Sequence, residues 1–216
     1  GAKVAILVSA VNDAPTIEDD FAQVPEDTQG FPIDVLINDT DNDVEDTLTL
    51  MSVTQAQNGT VEIGADGLPV YTPKENYFSQ PDAPDRFGYK VGDGKGGISE
   101  GVVEVMVTPV NDLPQTKGQE IVTDEDTEVE ITLSALDPDD DPLMTWYVVD
   151  SAVKGELSVV EGELQSAGES SKLISTLIYT PDPDYFGPDS FTYVVNDGTS
   201  DSPKAMVKIE VKPVFD

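Results

Sequence analysis

Val110-Asn111-Asp112-Leu113-Pro114 divides the chain, because what precedes it is replayed, with variations, after it. The same signature stands 99 residues earlier as Val11-Asn12-Asp13-Ala14-Pro15, and a degraded copy closes the sequence as Val214-Phe215-Asp216. The seam predicts this layout: residues 1–13 as the closing strand of an upstream repeat, 14–109 as repeat 1, 110–114 as the seam, and 115–216 as repeat 2. The first assignment rests on Val4 to Asp13 reading like Val103 to Asp112, and it makes the chain a piece of something longer.

Landmarks recur in order on both sides of the seam. Glu26-Asp27-Thr28 returns as Glu125-Asp126-Thr127, Tyr71-Thr72-Pro73 as Tyr179-Thr180-Pro181, and Asn76-Tyr77-Phe78 as Asp184-Tyr185-Phe186. The offset grows from 99 to 108 between these landmarks, which assigns repeat 2 an insertion, read as a lengthened hairpin loop over Glu161 to Lys172. It then falls to 104 at Phe87/Phe191, which assigns repeat 1 four extra residues around Gln80 to Pro84. Between landmarks, apolar residues alternate with polar ones in short runs such as Phe87/Tyr89/Val91 and Val103/Val105/Val107, broken by Gly, Pro, Asn and Asp. That is the period of antiparallel strands, and no stretch carries a helical period. About seven strands per copy predicts an all-β chain of two tandem immunoglobulin-like Greek-key sandwiches.

At 216 residues each repeat has room for its own core. Lys and Arg number 11 against 43 Asp and Glu, a net charge of −32, so nucleic acid and anionic membrane surfaces are excluded as partners and cations are favoured. Regular apolar runs argue against the disorder that such charge alone would imply. There is no Cys, so disulfides contribute nothing, and no His. Val4-Ala5-Ile6-Leu7-Val8 is too short to span a membrane.

The carboxylates concentrate in turns. Each repeat has an acidic cluster after its second strand, Asn38-Asp39-Thr40-Asp41-Asn42-Asp43 and Asp137-Pro138-Asp139-Asp140-Asp141, and an Asp before its last strand, Asp93 and Asp197. Turns at one end of a sandwich are spatial neighbours, and converging hard oxygens suit Ca2+, whereas zinc and copper favour the absent His and Cys. An EF-hand is excluded: starting at Asp39, the turn Gly position is Val44 and the bidentate Glu position is Leu50. Any one cluster alone also reads as a turn, for backbone reasons. Recurrence in both copies is what points to a site, while part of the acidity reads equally as a solvated surface for salty surroundings.

These residues resemble the cadherin-like tandem repeats of large bacterial surface and secreted adhesins, distant relatives of animal cadherin domains. The look-alikes are Pro25-Glu26-Asp27, Asp41-Asn42-Asp43 and Asp137-Pro138-Asp139, Asp93-Gly94 and Asp197-Gly198, and the seam itself. The resemblance implies one calcium ligand set from Glu26, Asn111, Asp112, Asp137, Asp139 and Asp197. It implies half a site with an upstream neighbour from Asn12, Asp13, Asp41, Asp43 and Asp93, and a share in a downstream one from Glu125 and Asp216. Two departures stand out: Pro109 replaces the first Asp of the animal linker, and nothing matches the family's Asp-Arg-Glu.

The expected function is that of a calcium-rigidified extracellular spacer in a bacterial cell-surface adhesin, serving cell adhesion or biofilm, with neighbouring repeats of the parent chain as partners and a monomeric state in isolation. The alternative is a module that recognises polysaccharide or an identical repeat on another cell, for which Trp146, the lone Trp, is the candidate platform if it faces outward. An enzyme is not expected: the acids lie in turns and no His or Cys nucleophile accompanies them.

Overall fold

The computed structural model describes residues 11–43, 45–139, 144–166 and 171–214, with the side chains of 160–171 left aside. The expected upstream strand before residue 11, Asp140 and Asp141, and Asp216 lie outside these residues. The chain divides into two units, Gly1–Val110 and Asn111–Asp216.

Among the described residues, unit 1 contains seven strands: β1 (Asp20–Pro25), β2 (Phe31–Pro32), β3 (Thr49–Val53), β4 (Gly59–Ile63), β5 (Pro69–Pro73), β6 (Asp85–Gly92) and β7 (Ile98–Thr108). They form two sheets, β1-β7-β6-β3 and β2-β5-β4. All pairs are antiparallel except β1 with β7, where Asp20 to Pro25 lie in parallel register with Val103 to Thr108. Alternation decides which side chains enter the core: Phe87, Tyr89 and Val91 from β6 and Val103, Val105 and Val107 from β7 meet Val61 and Tyr71 from the other sheet. The Tyr71 and Phe87 rings stack across this interior with centroids 6.5 Å apart. Each such side chain contributes about 1.5–3 kcal/mol of burial.

Unit 2 repeats the plan with β8 (Gln115–Thr116), β9 (Gln119–Asp124), β10 (Val129–Asp137), β11 (Thr145–Asp150), β12 (Gly155–Ser166), β13 (Ser171–Pro181), β14 (Gly187–Asn196) and β15 (Ala205–Lys212). Its sheets are β12-β13-β10-β8 and β11-β14-β15-β9, again with one parallel pair, β9 with β15. Ile131, Leu133, Leu177, Tyr179, Phe191, Tyr193, Val207 and Ile209 form its core. No helix long and apolar enough to cross a membrane occurs among the described residues.

The insertion in repeat 2 differs from the loop expected over Glu161 to Lys172. β12 and β13 run on as a ladder to the pair Ser166 and Ser171, past a bulge between Val159 and Glu161, so the added residues lengthen two strands. Backbone pairing takes up the polar groups that a loop would leave to solvent. In repeat 1, the extra residues make a tight turn closed by the Ala83 amide on the Gln80 carbonyl at 2.9 Å.

The shared landmarks have local causes. Asp27 and Asn76 both adopt left-handed backbone (φ 60° and 55°), as do Asp126 and Asp184 (57° and 56°). Asp and Asn tolerate this region better than other non-glycine residues. Asp27 accepts the Asn76 amide at 3.0 Å, and Asp126 accepts the Asp184 amide at 3.1 Å, so each motif pins the other.

A second device is a buried Tyr–Asp clamp. Asp85, 4% exposed, accepts from the Tyr71 hydroxyl (2.9 Å) and from the amides of Gln57, Asn58 and Arg86 (3.1, 2.9 and 3.0 Å). Asp189 does the same for Tyr179, Val153, Lys154 and Ser190. Burial first, then the carboxylate beside it, pushes each tyrosine hydroxyl upward. Gly59 is required by this clamp, because a Cβ there would meet the Tyr71 ring at 2.5 Å. Gly59→Ala is expected to lose about 1–3 kcal/mol of stability in thermal unfolding, since the pinned ring cannot withdraw.

Candidate metal centre

In unit 1 the entry segment and two loops meet through a chain of hydrogen bonds. The Asn12 amide group donates to the Asp93 carboxylate (2.7 Å), the Asp13 amide to Asp43 (2.9 Å), and the Asp43 amide to Asp41 (2.9 Å). Asp93, following β6 and 2% exposed, is held by a glycine-rich turn. Its oxygens accept the amides of Lys95, Gly96 and Gly97 at 2.7–3.0 Å. The Asn12 amide, then the Lys95 amide, hold its carboxyl below the usual carboxylate range against the opposing effect of burial. The group stays ionised, as a cation ligand must.

Unit 2 uses the same scheme. Asn111 donates to Asp197 (3.1 Å), the Asp112 amide to Asp139 (2.7 Å), and the Asp139 amide to Asp137 (3.0 Å). Asp197 also accepts the amides of Thr199 and Ser200, each at 2.6 Å. Burial pushes its carboxyl up, but the Ser200 and Thr199 amides and Asn111 outweigh it and the net direction is down. Asp137 and Asp197 are buried, at 0% and 3% exposure.

Glu26 and Glu125 are placed alike. Glu26 accepts the Val110 amide at 2.7 Å while its own amide donates to Thr108, and Glu125 accepts the Val214 amide at 2.6 Å. Each ties down the residue two positions past its unit's last strand.

Sequence reading missed Asp46. One carboxylate oxygen from each of Asp41, Asp46 and Asp93 lies within 4.8 Å of the others, the one such group of acids among the described residues. Asp46 stands three residues beyond the cluster as read from the sequence, and a reversal of the loop, closed by the Asp46 amide on the Asp43 carbonyl at 2.9 Å, returns it. The signal available was an acid immediately past a turn. Hard oxygens from three carboxylates suit calcium.

Lys95 forms an ion pair with Asp46, whose side chain is fully enclosed, and that contact raises the affinity of the lysine for its proton. It places a tethered positive charge at the group. Repeat 2 has Thr199 at the matching place. Lys95→Thr should therefore raise the calcium affinity of unit 1 several-fold in a calorimetric titration, since a like charge leaves the site.

Trp146 belongs to the inner face of β11: Met144, Trp146 and Val148 pack on the core of unit 2, and Tyr147 on the other face is exposed. A cleft of about 400 Å³ opens beside it, lined by Trp146, Tyr147, Val148, Leu157, Val159 and Leu177 among others.

A family model described as the bacterial Ig domain matches residues 12–106 and again 111–210. Among solved structures, mouse cadherin-23 EC22–24 superposes with a TM-score of 0.51 at 16% identity, covering 93% of this chain and 67% of that one. Human CDH23 EC21–23 gives 0.50 at 19% identity, covering 92% and 69%. These likenesses show the fold alone. An endo-fucoidan hydrolase from glycoside hydrolase family 107 aligns at a TM-score of 0.36 and 17% identity over 97% of this chain, which spans 30% of the enzyme's length. No curated protein matches the chain.

Proposed function

The chain belongs to the bacterial Ig domain family, as two tandem copies, and from that premise we propose that it is a calcium-stiffened, non-catalytic spacer of an extracellular surface adhesin. Repeat domains of this kind fit an extracellular module. The finer reading rests on one observation: Asn12, Asp13, Asp41, Asp43 and Asp93 are wired by the same hydrogen bonds as Asn111, Asp112, Asp137, Asp139 and Asp197. Turn chemistry alone explains an acid in a loop. It does not require two loops and an entry segment to gather buried carboxylates in the same way twice.

The chemistry follows from charge. The gathered acids repel one another, and a calcium ion bound by them neutralises that repulsion and lowers the freedom of every segment it joins. Val110 is tied within unit 1 by Glu26, and Asn111, the next residue, within unit 2 by Asp197. An ion that locks Asn111 and Asp112 to the loops of unit 2 leaves little chain between these anchors. Repeated along an array, this makes a stiff rod suited to holding an adhesive tip away from a cell. Affinities of such extracellular modules run at about 10⁻⁴–10⁻³ M.

The test is small-angle scattering of the two-repeat chain in excess calcium and in chelator, beside calorimetry. The expected result is an extended, stiff particle that loosens on chelation, with the change diminished in Asp112→Ala. A chain that neither binds calcium nor changes its scattering would leave the acidic seam as a solvated linker.

A further inference from the structure

We propose that repeat 1 carries a second calcium site on its flank, formed by the carboxylates of Asp20 and Asp39 and the side-chain oxygen of Asn38, separate from the cluster around Asp93. The site stands independently of the reading of the unit ends, since it shares no residue with them.

The segment before β1 pairs with the loop that carries Asn38 and Asp39. Thr16 and Thr40 exchange backbone hydrogen bonds of 2.7 and 3.0 Å. Beyond them the Glu18 amide donates to Asp39 Oδ1 at 3.1 Å. The Glu18 carbonyl accepts Asn38 Nδ2 at 3.0 Å and the Tyr89 hydroxyl at 3.3 Å. One oxygen of each remaining group is left over. Asp20 Oδ2, Asn38 Oδ1 and Asp39 Oδ2 are all buried and accept no hydrogen bond, and Asp39 as a whole is only 9% exposed. The Asp20 carboxylate takes side-chain hydrogen bonds from Tyr89 and Asn38 and has the charge of Asp39 nearby, so the three groups share one locality while Asp20 Oδ2 stays without a donor.

Asp39 is buried and Asp20 half-buried, and two such carboxylates in one locality are costly unless something positive joins them. An all-oxygen set of two carboxylates and an amide, completed by water, is the donor chemistry of calcium.

Repeat 2 supplies an internal comparison. Its corresponding pairing, Gln115 with Leu136, places Lys117, Gln119, Ser134 and Ala135 where repeat 1 has Glu18, Asp20, Asn38 and Asp39. The scaffold is retained: Tyr193 donates to the Lys117 carbonyl at 3.1 Å, as Tyr89 does to that of Glu18. The filling is neutral, with Ala135 in the core at 3% exposure and Gln119 donating to the Thr132 carbonyl at 3.0 Å. The fold therefore does not need acids at these positions, and their presence in repeat 1 is explained by a ligand.

Native mass spectrometry of the full chain at saturating calcium chloride, paired with calorimetry, tests this. The variant Asp20→Gln, Asn38→Ser, Asp39→Ala installs the residues of repeat 2 and should lose one bound ion. Asp93→Asn and Asp197→Asn should retain that ion while weakening the others. An unchanged ion count in the triple variant overturns the flank site, whatever happens at the unit ends, and leaves Asp20 and Asp39 as a pair sharing a proton. If the triple variant melts early, Asp39→Asn alone decides: about a tenfold weaker binding step supports the site and an unaltered titration overturns it.

Discussion

Asp197→Asn is expected to weaken calcium binding in unit 2 by at least about tenfold while the binding steps of unit 1 keep their affinity, read by calorimetry on the full chain. The substitution preserves size but removes a full negative charge from a position of the site that is only 3% exposed. It also puts an amide where the Thr199 and Ser200 amides converge at 2.6 Å, so one end of the new side chain meets donors with a donor. Asn111 loses its charged acceptor as well, which releases the entry segment. The pH dependence follows from the same contacts. Asp93 and Asp197 have depressed pKa values in the folded chain, so their contribution to stability is fully present above the unfolded value of about 3.9 and is lost as pH falls through the lower folded value. Calcium binding at these positions should accordingly persist to below the ordinary carboxylate range and fail only as pH falls through the lower folded values.

Strand content and sheet faces were legible in the sequence because alternation is a direct consequence of the pleat: Phe87, Tyr89 and Val91 could only pack together on one face. The twofold plan was equally legible from the recurring landmarks. Which acids gather was legible only where they stand at matching offsets, as Asp41 and Asp137 do. Asp46 was not, because a loop reversal brings it back, and loop geometry leaves no periodic trace. The insertion in repeat 2 misled for a related reason. Its Gly, Ser and Glu composition is that of a turn, whereas the register it joins is set by the partner strand, so the added residues extend a ladder.

Asp85 and Asp93 show where single-sequence reading stops. Both are aspartates at the ends of one strand, both are almost fully buried, and both accept several backbone amides. They differ in what arrives from elsewhere. Asp85 receives the Tyr71 hydroxyl and the amides of Gln57 and Asn58 and is thereby occupied within the fold, whereas Asp93 stands with Asp41 and Asp46. Asp85→Ala should therefore act on stability alone. It leaves three amides and a tyrosine hydroxyl without their acceptor in a closed interior, and each buried orphan costs about 1–3 kcal/mol, with some relief from water. A loss of about 3 kcal/mol or more is expected, against the 5–15 kcal/mol typical of a whole domain. That corresponds to a fall on the order of 10–20 °C in the midpoint of unit 1. Asp189→Ala should do the same to unit 2, so calorimetric scans of the two variants should lower different transitions. Neither should change the number of calcium ions bound by the folded chain, whereas Asp197→Asn should cost affinity with a much smaller shift in melting measured in chelator. A loss of bound ions in Asp85→Ala at temperatures where unit 1 is still folded would instead place this acid in the metal-binding set and would break the division between clamp and ligand.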